Sequence, residues 1–379
     1  MRIALNALQV RAKKSGVGQY ISGLIDGLLG AMSPDDHLIV YATPFNAPNY
    51  QRDDPRLETR RWGPAAKRPI RLAYEWAFLP RWIERDRIDV FHGPANFLPR
   101  RCACPSVVTV HDLSQWVHPS RFGYVRRAYW HWMTLHTIRL ATHIIAVSEN
   151  TRSDLGRYLS VEAERIEVIP EAAAPSFRPL PDCRYDSPPL RRYGIGGPYV
   201  LHVGTLEPGK NIPRLLEAFA RFRRESALDW RLVLAGDRGW LRRDIFHTIR
   251  RHALEDRVIL AGYVPDEDLP LLYNAAEFFA FPSLNEGFGL PPLEAMACGA
   301  PVIASNVSSL PEVLAEAPLY VDPLDVGALA AAMLRLARDP VVRRERSEAG
   351  LKQAKRYSWM ETGRRTLEVY RRVAGNRAD

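Results

Sequence analysis

The chain has 379 residues, too many for one comfortable core, so two domains of ordinary size are expected. Hydrophobic residues make up 46% and charged residues 25%, and no apolar run reaches the length of a membrane-spanning helix, which points to a soluble or at most peripheral protein. A net charge of +9 attracts polyanions, whether nucleic acid, anionic lipid or a phosphorylated substrate, and charge alone does not choose among them.

Residues 1–7 run straight into an apolar strand without a signal-peptide core, so the expected location is the cytoplasm. Residues 15–20 then supply a glycine loop, with Gly16 and Gly18, opening a helix that carries Ile21, Leu24, Ile25, Leu28 and Leu29. This β-loop-α unit lacks the full three-glycine dinucleotide fingerprint, and a tight turn before a helix explains it equally well. Strands follow at 37–42, 88–92 and 106–110, the last running into His111, Asp112 and Leu113. Ligands of open α/β sheets bind off the carboxyl ends of strands, which makes His111 a candidate. Asp112 either orients the imidazole or caps the next segment.

Aromatic and basic residues interleave at 62–82 and 121–140, among them Trp76, Trp82, Arg126, Arg127, Tyr129, Trp130 and Trp132. Such helices lie on an anionic membrane, or they pack in the ordinary way with a solvated cationic face. Residues 142–152 give strand then helix, and 166–170 close a first domain taken as 1–178, with Pro175, Pro179, Pro181, Pro188 and Pro189 marking an extended linker. A second domain, 179–355, alternates strands at 199–204, 230–236 and 258–263 with helices, as a parallel doubly wound sheet does. Residues 356–379 belong to a late basic helical region. The four cysteines, Cys102, Cys104, Cys183 and Cys298, support neither a disulfide framework nor a zinc site, and no nucleic-acid motif accompanies the charge.

The densest signal is 281–299. A short aromatic strand precedes it, Gly287, Gly289, Pro291 and Pro292 delay helix until about Pro291, and Gly299 stops the helix. Glu294 is then expected in the first turn and Glu286 in the loop before it, facing one crevice with free backbone N–H groups. Carboxylates repel a bare phosphate but accept hydrogen bonds from hydroxyls attached to it, the pattern of a sugar nucleotide. Ordinary capping acids explain Glu294 alone. Lys210, just after a strand-end loop, is the cation that reaches a pyrophosphate, or else an ordinary surface lysine.

Glu286 and Glu294, in the run EGFGLPPLEAMACGAPV, resemble the signature of family 4 retaining glycosyltransferases. The resemblance implies the GT-B fold, an α/β arrangement of two doubly wound parallel-sheet, Rossmann-like domains facing across a cleft, with the last helix crossing back to the first domain. It implies that His111 lines the donor-sugar pocket and that Gly16 and Gly18 face the donor phosphates and the acceptor. Glu294 would hold the ribose, Glu286 a sugar hydroxyl and Lys210 the pyrophosphate, with amides from Gly287, Phe288, Gly289 and Leu290. Tyr263 and Val264 would lie near the base. Thr205 and Gly209 stand where many members carry arginine, and the sequence does not reveal a replacement.

Residues 203–211 resemble the lysine loop of bacterial mannosyltransferases of surface polysaccharides. The implied reaction is retaining transfer of mannose or a mannose-derived deoxysugar from a GDP-linked donor to a glycan or lipid-linked acceptor, at the inner face of the cell membrane, with no cofactor, no metal and no nucleic acid. Two alternatives are a sugar-nucleotide 2-epimerase of the same fold, for which no acid and base pattern is found, and a non-catalytic polyanion-binding protein.

Overall fold

Runs such as Ser-Val-Val-Thr-Val at Ser106–Val110 are buried on both faces and carry β-branched side chains, the composition of interior parallel strands. They build two all-parallel sheets in a computed structural model that describes residues 1–10, 13, 16–62, 68–119, 123–181, 183, 185, 187–237 and 242–375, with backbone alone at 68–72, 74, 125, 126 and 242. Ser15 of the expected glycine loop and the side chain of Arg126 lie outside this description.

The chain divides into two units, Met1–Ala172 with Ser358–Asp379, and Ala173–Tyr357. Unit 1 holds strands β1 (Arg2–Asn6), β2 (His37–Ala42), β3 (Leu57–Arg61), β4 (Val90–Gly93), β5 (Ser106–Val110), β6 (His143–Ala146) and β7 (Ile166–Val168), in the order β3-β2-β1-β4-β5-β6-β7. β3, Leu-Glu-Thr-Arg-Arg, has no apolar run for sequence reading to find, because an edge strand leaves one side to solvent and tolerates charge. Unit 2 holds β8 (Tyr199–Val203), β9 (Arg231–Ala235), β10 (Val258–Gly262), β11 (Phe278–Phe281), β12 (Val302–Ser305) and β13 (Leu319–Val321), in the order β10-β9-β8-β11-β12-β13. Each sheet grows to one edge, then restarts beside its first strand. That reversal leaves a crevice at the carboxyl ends of β1 and β4, and another at those of β8 and β11.

The helix Trp359–Gly375 completes unit 1 by packing on the helix Gly16–Ala31. The contact is backbone to backbone: a Cβ on Gly27 would sit 1.9 Å from the Trp359 carbonyl oxygen, and one on Gly363 would sit 2.0 Å from the Gly27 carbonyl carbon. Beneath it runs a buried polar chain. Thr109 Oγ1 lies 2.8 Å from both the Tyr20 hydroxyl and His92 Nε2, and His92 Nδ1 is bonded to the Tyr370 hydroxyl.

The proline-rich stretch expected as an extended linker is instead laid over the helix Leu269–Ala275 of unit 2. Leu180 N donates to Asn274 Oδ1 (2.7 Å), Asn274 Nδ2 donates to Arg178 O (3.0 Å), and the Phe177 ring meets Tyr273 edge-on. Apolar residues spaced between the prolines give it anchors, which the count of prolines conceals.

Candidate active site

In unit 2, β8 opens into the lysine loop and β11 into the glutamate loop, so strand order alone brings two distant segments to one crevice. A Cβ on Gly236, at the end of β9, would lie 2.0 Å from the Gly204 carbonyl oxygen, so glycine there lets the lysine loop turn close against its neighbour. Pro208–Lys210 forms a single helical turn. Asn211 follows with φ 58 and sews the two loops together, its Nδ2 donating to Pro282 O (3.0 Å) and Pro323 O (2.6 Å). Leu284 N donates to Gly209 O at 2.8 Å.

This stitching brings Lys210 and Glu286 into contact. Lys210 Nζ donates to Glu286 Oε1 at 2.6 Å, with side chains 16% and 12% exposed, and the ammonium lies 5.1 Å from the centroid of the Phe281 ring. The pair sits at the carboxyl ends of β8 and β11, largely shielded from solvent, where each partner neutralises the other. An anion for the lysine and a hydroxyl for the glutamate could replace that mutual contact.

Two serines that sequence reading missed shape the glutamate loop. Ser308 Oγ accepts from Glu286 N (3.0 Å), and Ser309 Oγ lies within hydrogen-bond distance of the carbonyl oxygens of Glu286 (3.0 Å) and Phe288 (3.2 Å), donating to them. Their signal was a Ser-Ser pair at the carboxyl end of β12, next to the strand already singled out. Gly289 takes φ +100 and caps the helix Leu290–Ala297, and a Cβ there would lie 2.7 Å from Leu310 Cδ2. Gly287 is half-buried, while Phe288 and Leu290 are buried.

Glu294 corrects one expectation. With Gly289 left-handed and prolines second and third, the helix starts at Leu290, so Glu294 is its fifth residue and not in the first turn. Its carboxylate is buried and accepts from the Tyr273 hydroxyl at 3.0 Å. Burial, then the carboxylate's charge and hydrogen bond, push the Tyr273 hydroxyl well above its usual range. Thr205 is exposed just after β8. Tyr263, half-buried, and Val264, buried, follow β10 at the sheet edge, two strands from β8 and so about 10 Å across the sheet.

His202, inside β8, was read as part of an apolar strand. It is fully buried, Nδ1 donates to Ala280 O (2.9 Å), and its ring stacks on Phe281. Burial, helped by the nearby Lys210 charge, brings its pKa down to about 4, and burial brings that of His92 down to about 3. Both are neutral in the fold and ionise near 6.5 when unfolded. Below about pH 6.5 the unfolded chain therefore binds more protons, and each histidine removes about 1.4 kcal/mol per pH unit until its folded pKa is reached. Urea midpoints are expected to fall steadily from pH 6.5 to 4.5, before most carboxylates titrate; a flat profile contradicts neutral burial.

In unit 1, the strand-end histidine is held on all sides. His111 Nε2 lies 2.8 Å from Pro94 O, Nδ1 lies 2.8 Å from Glu171 Oε1, and Tyr20 meets the ring edge-on at 4.8 Å. Burial alone would lower its pKa, but the hydrogen bond and charge of Glu171, with the Pro94 carbonyl and the Asp112 charge, together outweigh burial and raise it. Sequence reading missed Glu171, which lies among prolines and alanines after β7 with no motif around it. Asp112 caps the next segment, accepting from Ser114 N at 2.8 Å. Gly16 and Gly18 fall inside the first turn of the helix Gly16–Ala31 rather than in a loop, Gly16 exposed and Gly18 buried.

The basic aromatic segments form the helices Arg68–Arg85 and Tyr124–Leu140. Trp76 packs on Trp132, Trp132 stacks on His136, and Arg100 covers Trp76, while Phe78, Tyr124 and Trp132 are exposed. Among the described residues no helix is long and apolar enough to cross a membrane.

Residues 193–353 match the family model "Glycosyl transferases group 1" and residues 15–176 match "Glycosyltransferase Family 4". The chain is 33% identical over 386 residues to O-antigen chain mannosyltransferase B of Escherichia coli, covering 98% of this chain and 100% of that one. It is 30% identical over 287 residues to the serotype-specific mannosyltransferase WbdA of Escherichia coli, covering 74% of this chain but only 34% of that relative. Its structure is similar to that of a sucrose-phosphate synthase from Thermosynechococcus elongatus, with a TM-score of 0.81 and 24% identity over 99% of this chain and 100% of the other.

Proposed function

The chain belongs to the group 1 and family 4 glycosyltransferases, and from that premise we propose that it transfers mannose, or a mannose-derived deoxysugar, with retention, from a GDP-linked donor to a glycan or lipid-linked acceptor hydroxyl in surface polysaccharide synthesis. The observation that carries this reading is the Lys210–Glu286 contact at the crevice of the unit 2 sheet, inside the segment matched by the group 1 family model. A nucleotide sugar satisfies both partners better than they satisfy each other. Its diphosphate takes the Lys210 ammonium, and a sugar hydroxyl donates to the released Glu286 carboxylate.

As the bond between anomeric carbon and diphosphate oxygen lengthens, negative charge grows on the leaving group, and Lys210 stabilises it where water is scarce. The amides of 287–290 and the Glu294 carboxylate orient phosphate and ribose, and Tyr263 and Val264 border the base. Retention follows if the acceptor oxygen approaches from the face the diphosphate leaves. The nucleotide sugar enters as a substrate, and no residue role here calls for a metal or cofactor. Mannose is favoured because two relatives carry the name mannosyltransferase.

The test is a side-by-side screen of GDP-, UDP-, dTDP- and ADP-linked sugars, reading nucleoside diphosphate release with and without candidate acceptors. GDP-mannose or a GDP-deoxysugar is expected to be turned over fastest. Preference for a UDP- or dTDP-sugar overturns the donor assignment, and inertness towards all overturns transfer itself.

The exposed Trp132, Tyr124 and Phe78, with Arg81, Arg100 and Arg127 beside the aromatic rings, suit an anionic membrane at the cytoplasmic face, where a lipid-linked acceptor would be met. In liposome flotation at low salt, recovery is expected with anionic vesicles and not with neutral ones, and Trp132→Ala with Arg127→Ala should weaken it. Equal recovery with both lipids returns these residues to ordinary packing.

A further inference from the structure

We infer that Glu171 is a positioning residue whose carboxylate keeps His111 protonated at both ring nitrogens, so that the ring presented at the carboxyl end of β5 is a fixed cation and not a base. The protonation state stands on the hydrogen-bond geometry and the basicity of the two groups; only its consequence for turnover rests on the glycosyltransferase reading.

The Pro94 carbonyl oxygen can only accept, so His111 Nε2, 2.8 Å away, must carry a hydrogen. A neutral ring would then point the Nδ1 lone pair at the Glu171 carboxylate, 2.8 Å away, setting two acceptors against each other, and a proton shared between them belongs on the imidazole, the stronger base. A proton on Nδ1 turns that repulsion into a charge-assisted hydrogen bond. Glu171 is only 4% exposed, so water does not readily substitute for the ring.

The other groups around the ring do not oppose the charge. Tyr20 from the helix Gly16–Ala31 meets it edge-on, Asp112 beside it adds negative charge, and His92 from β4 stays neutral, held low by burial and then by the His111 charge itself. Asn96 Oδ1 accepts from His111 N and Thr151 Oγ1 donates to His111 O, which fixes the backbone under the ring.

With both N–H groups committed to protein acceptors, the ring can neither take a proton from an acceptor hydroxyl nor accept a hydrogen bond from the donor sugar. What it contributes is positive charge, of use to an anionic substrate group. His111, expected from the resemblance to line the donor-sugar pocket, would then act there by supplying field.

The test is long-range proton–nitrogen NMR on protein labelled at histidine, with the His111 signal assigned by its loss in His111→Asn. Both ring nitrogens of wild-type His111 are expected to carry a proton at pH 7.5. In Glu171→Gln, which keeps the shape but not the charge, the ring is expected to lose one of them at lower pH than the wild type does. Above its new pKa, kcat should fall about tenfold while KM for the donor moves less; Glu171→Asp should restore the doubly protonated ring. One bare nitrogen in the wild type at pH 7.5, or a Glu171→Gln ring that stays doubly protonated, overturns the inference. Should the glutamine variant not fold, the wild-type spectrum still decides. A protein inert towards every sugar nucleotide removes the proposed reaction and leaves the spectrum to be judged separately.

Discussion

Lys210→Met is expected to lower kcat/KM for the sugar nucleotide between about tenfold and about 150-fold, because a lost charge-assisted hydrogen bond costs about 1.5–3 kcal/mol. The larger figure applies if the ammonium also meets charge that grows only as the diphosphate leaves. The same substitution strands Glu286, whose carboxylate is only 12% exposed in its present contact. Stability should therefore drop as well, by on the order of 1–3 kcal/mol for a shielded group left unpaired. Adding Glu286→Gln is expected to recover part of that stability and none of the activity. Calorimetric titration with the nucleoside diphosphate, steady-state rates and urea unfolding on the single and double variants separate the two effects. A folded Lys210→Met protein with unchanged diphosphate affinity and turnover takes the lysine out of the site.

Glu294 should give a different signature. Alanine there removes the acceptor of the buried Tyr273 hydroxyl and opens a cavity behind the helix Leu290–Ala297, so Glu294→Ala is expected to lose about 2–4 kcal/mol of stability together with donor affinity. Glu294→Gln keeps the volume and an oxygen for Tyr273, so its fold should survive. Its nucleotide affinity should still fall about tenfold, because a ribose hydroxyl donates more strongly to a carboxylate than to an amide. If Glu294→Gln and Tyr273→Phe both melt earlier yet bind nucleotide as the wild type does, Glu294 is a packing residue.

These expectations draw on a site only half legible in the sequence. Lys210 and Glu286 could be read because each follows a recognisable strand and sits among glycines and prolines that punctuate a loop. Doubly wound order then requires the ends of β8 and β11 to meet. The residues that hold them could not be read in the same way. Asn211, Ser308, Ser309 and Tyr273 act through one or two hydrogen bonds to segments far along the chain, and nothing local to them records the partner. Glu171 is a further case, sixty positions from the histidine it faces and with no motif of its own. Strands buried on both faces, such as β5, β6 and β11, announced themselves by composition, whereas the polar edge strand β3 did not. One residue of error at Leu290 moved Glu294 from an open first turn to a buried second one, since element ends are where pattern reasoning is weakest.

The way the chain leaves unit 1 after Ala172 and rejoins it at Ser358 governs how a nascent chain can fold. The ribosome releases the seven strands of the first sheet early, but the helix that seats on Gly27, and the Tyr370 hydroxyl that meets His92, emerge only after all of 173–357 has been made. At roughly 5–20 residues per second that delay is on the order of ten to forty seconds. During it, a glycine-lined helix face and a buried polar chain stand uncovered, while unit 2, made of contiguous residues, can finish. Unit 1 is thus begun before unit 2 and completed after it, and a stop codon near residue 357 would spare unit 2 and leave unit 1 open to chaperones and proteases.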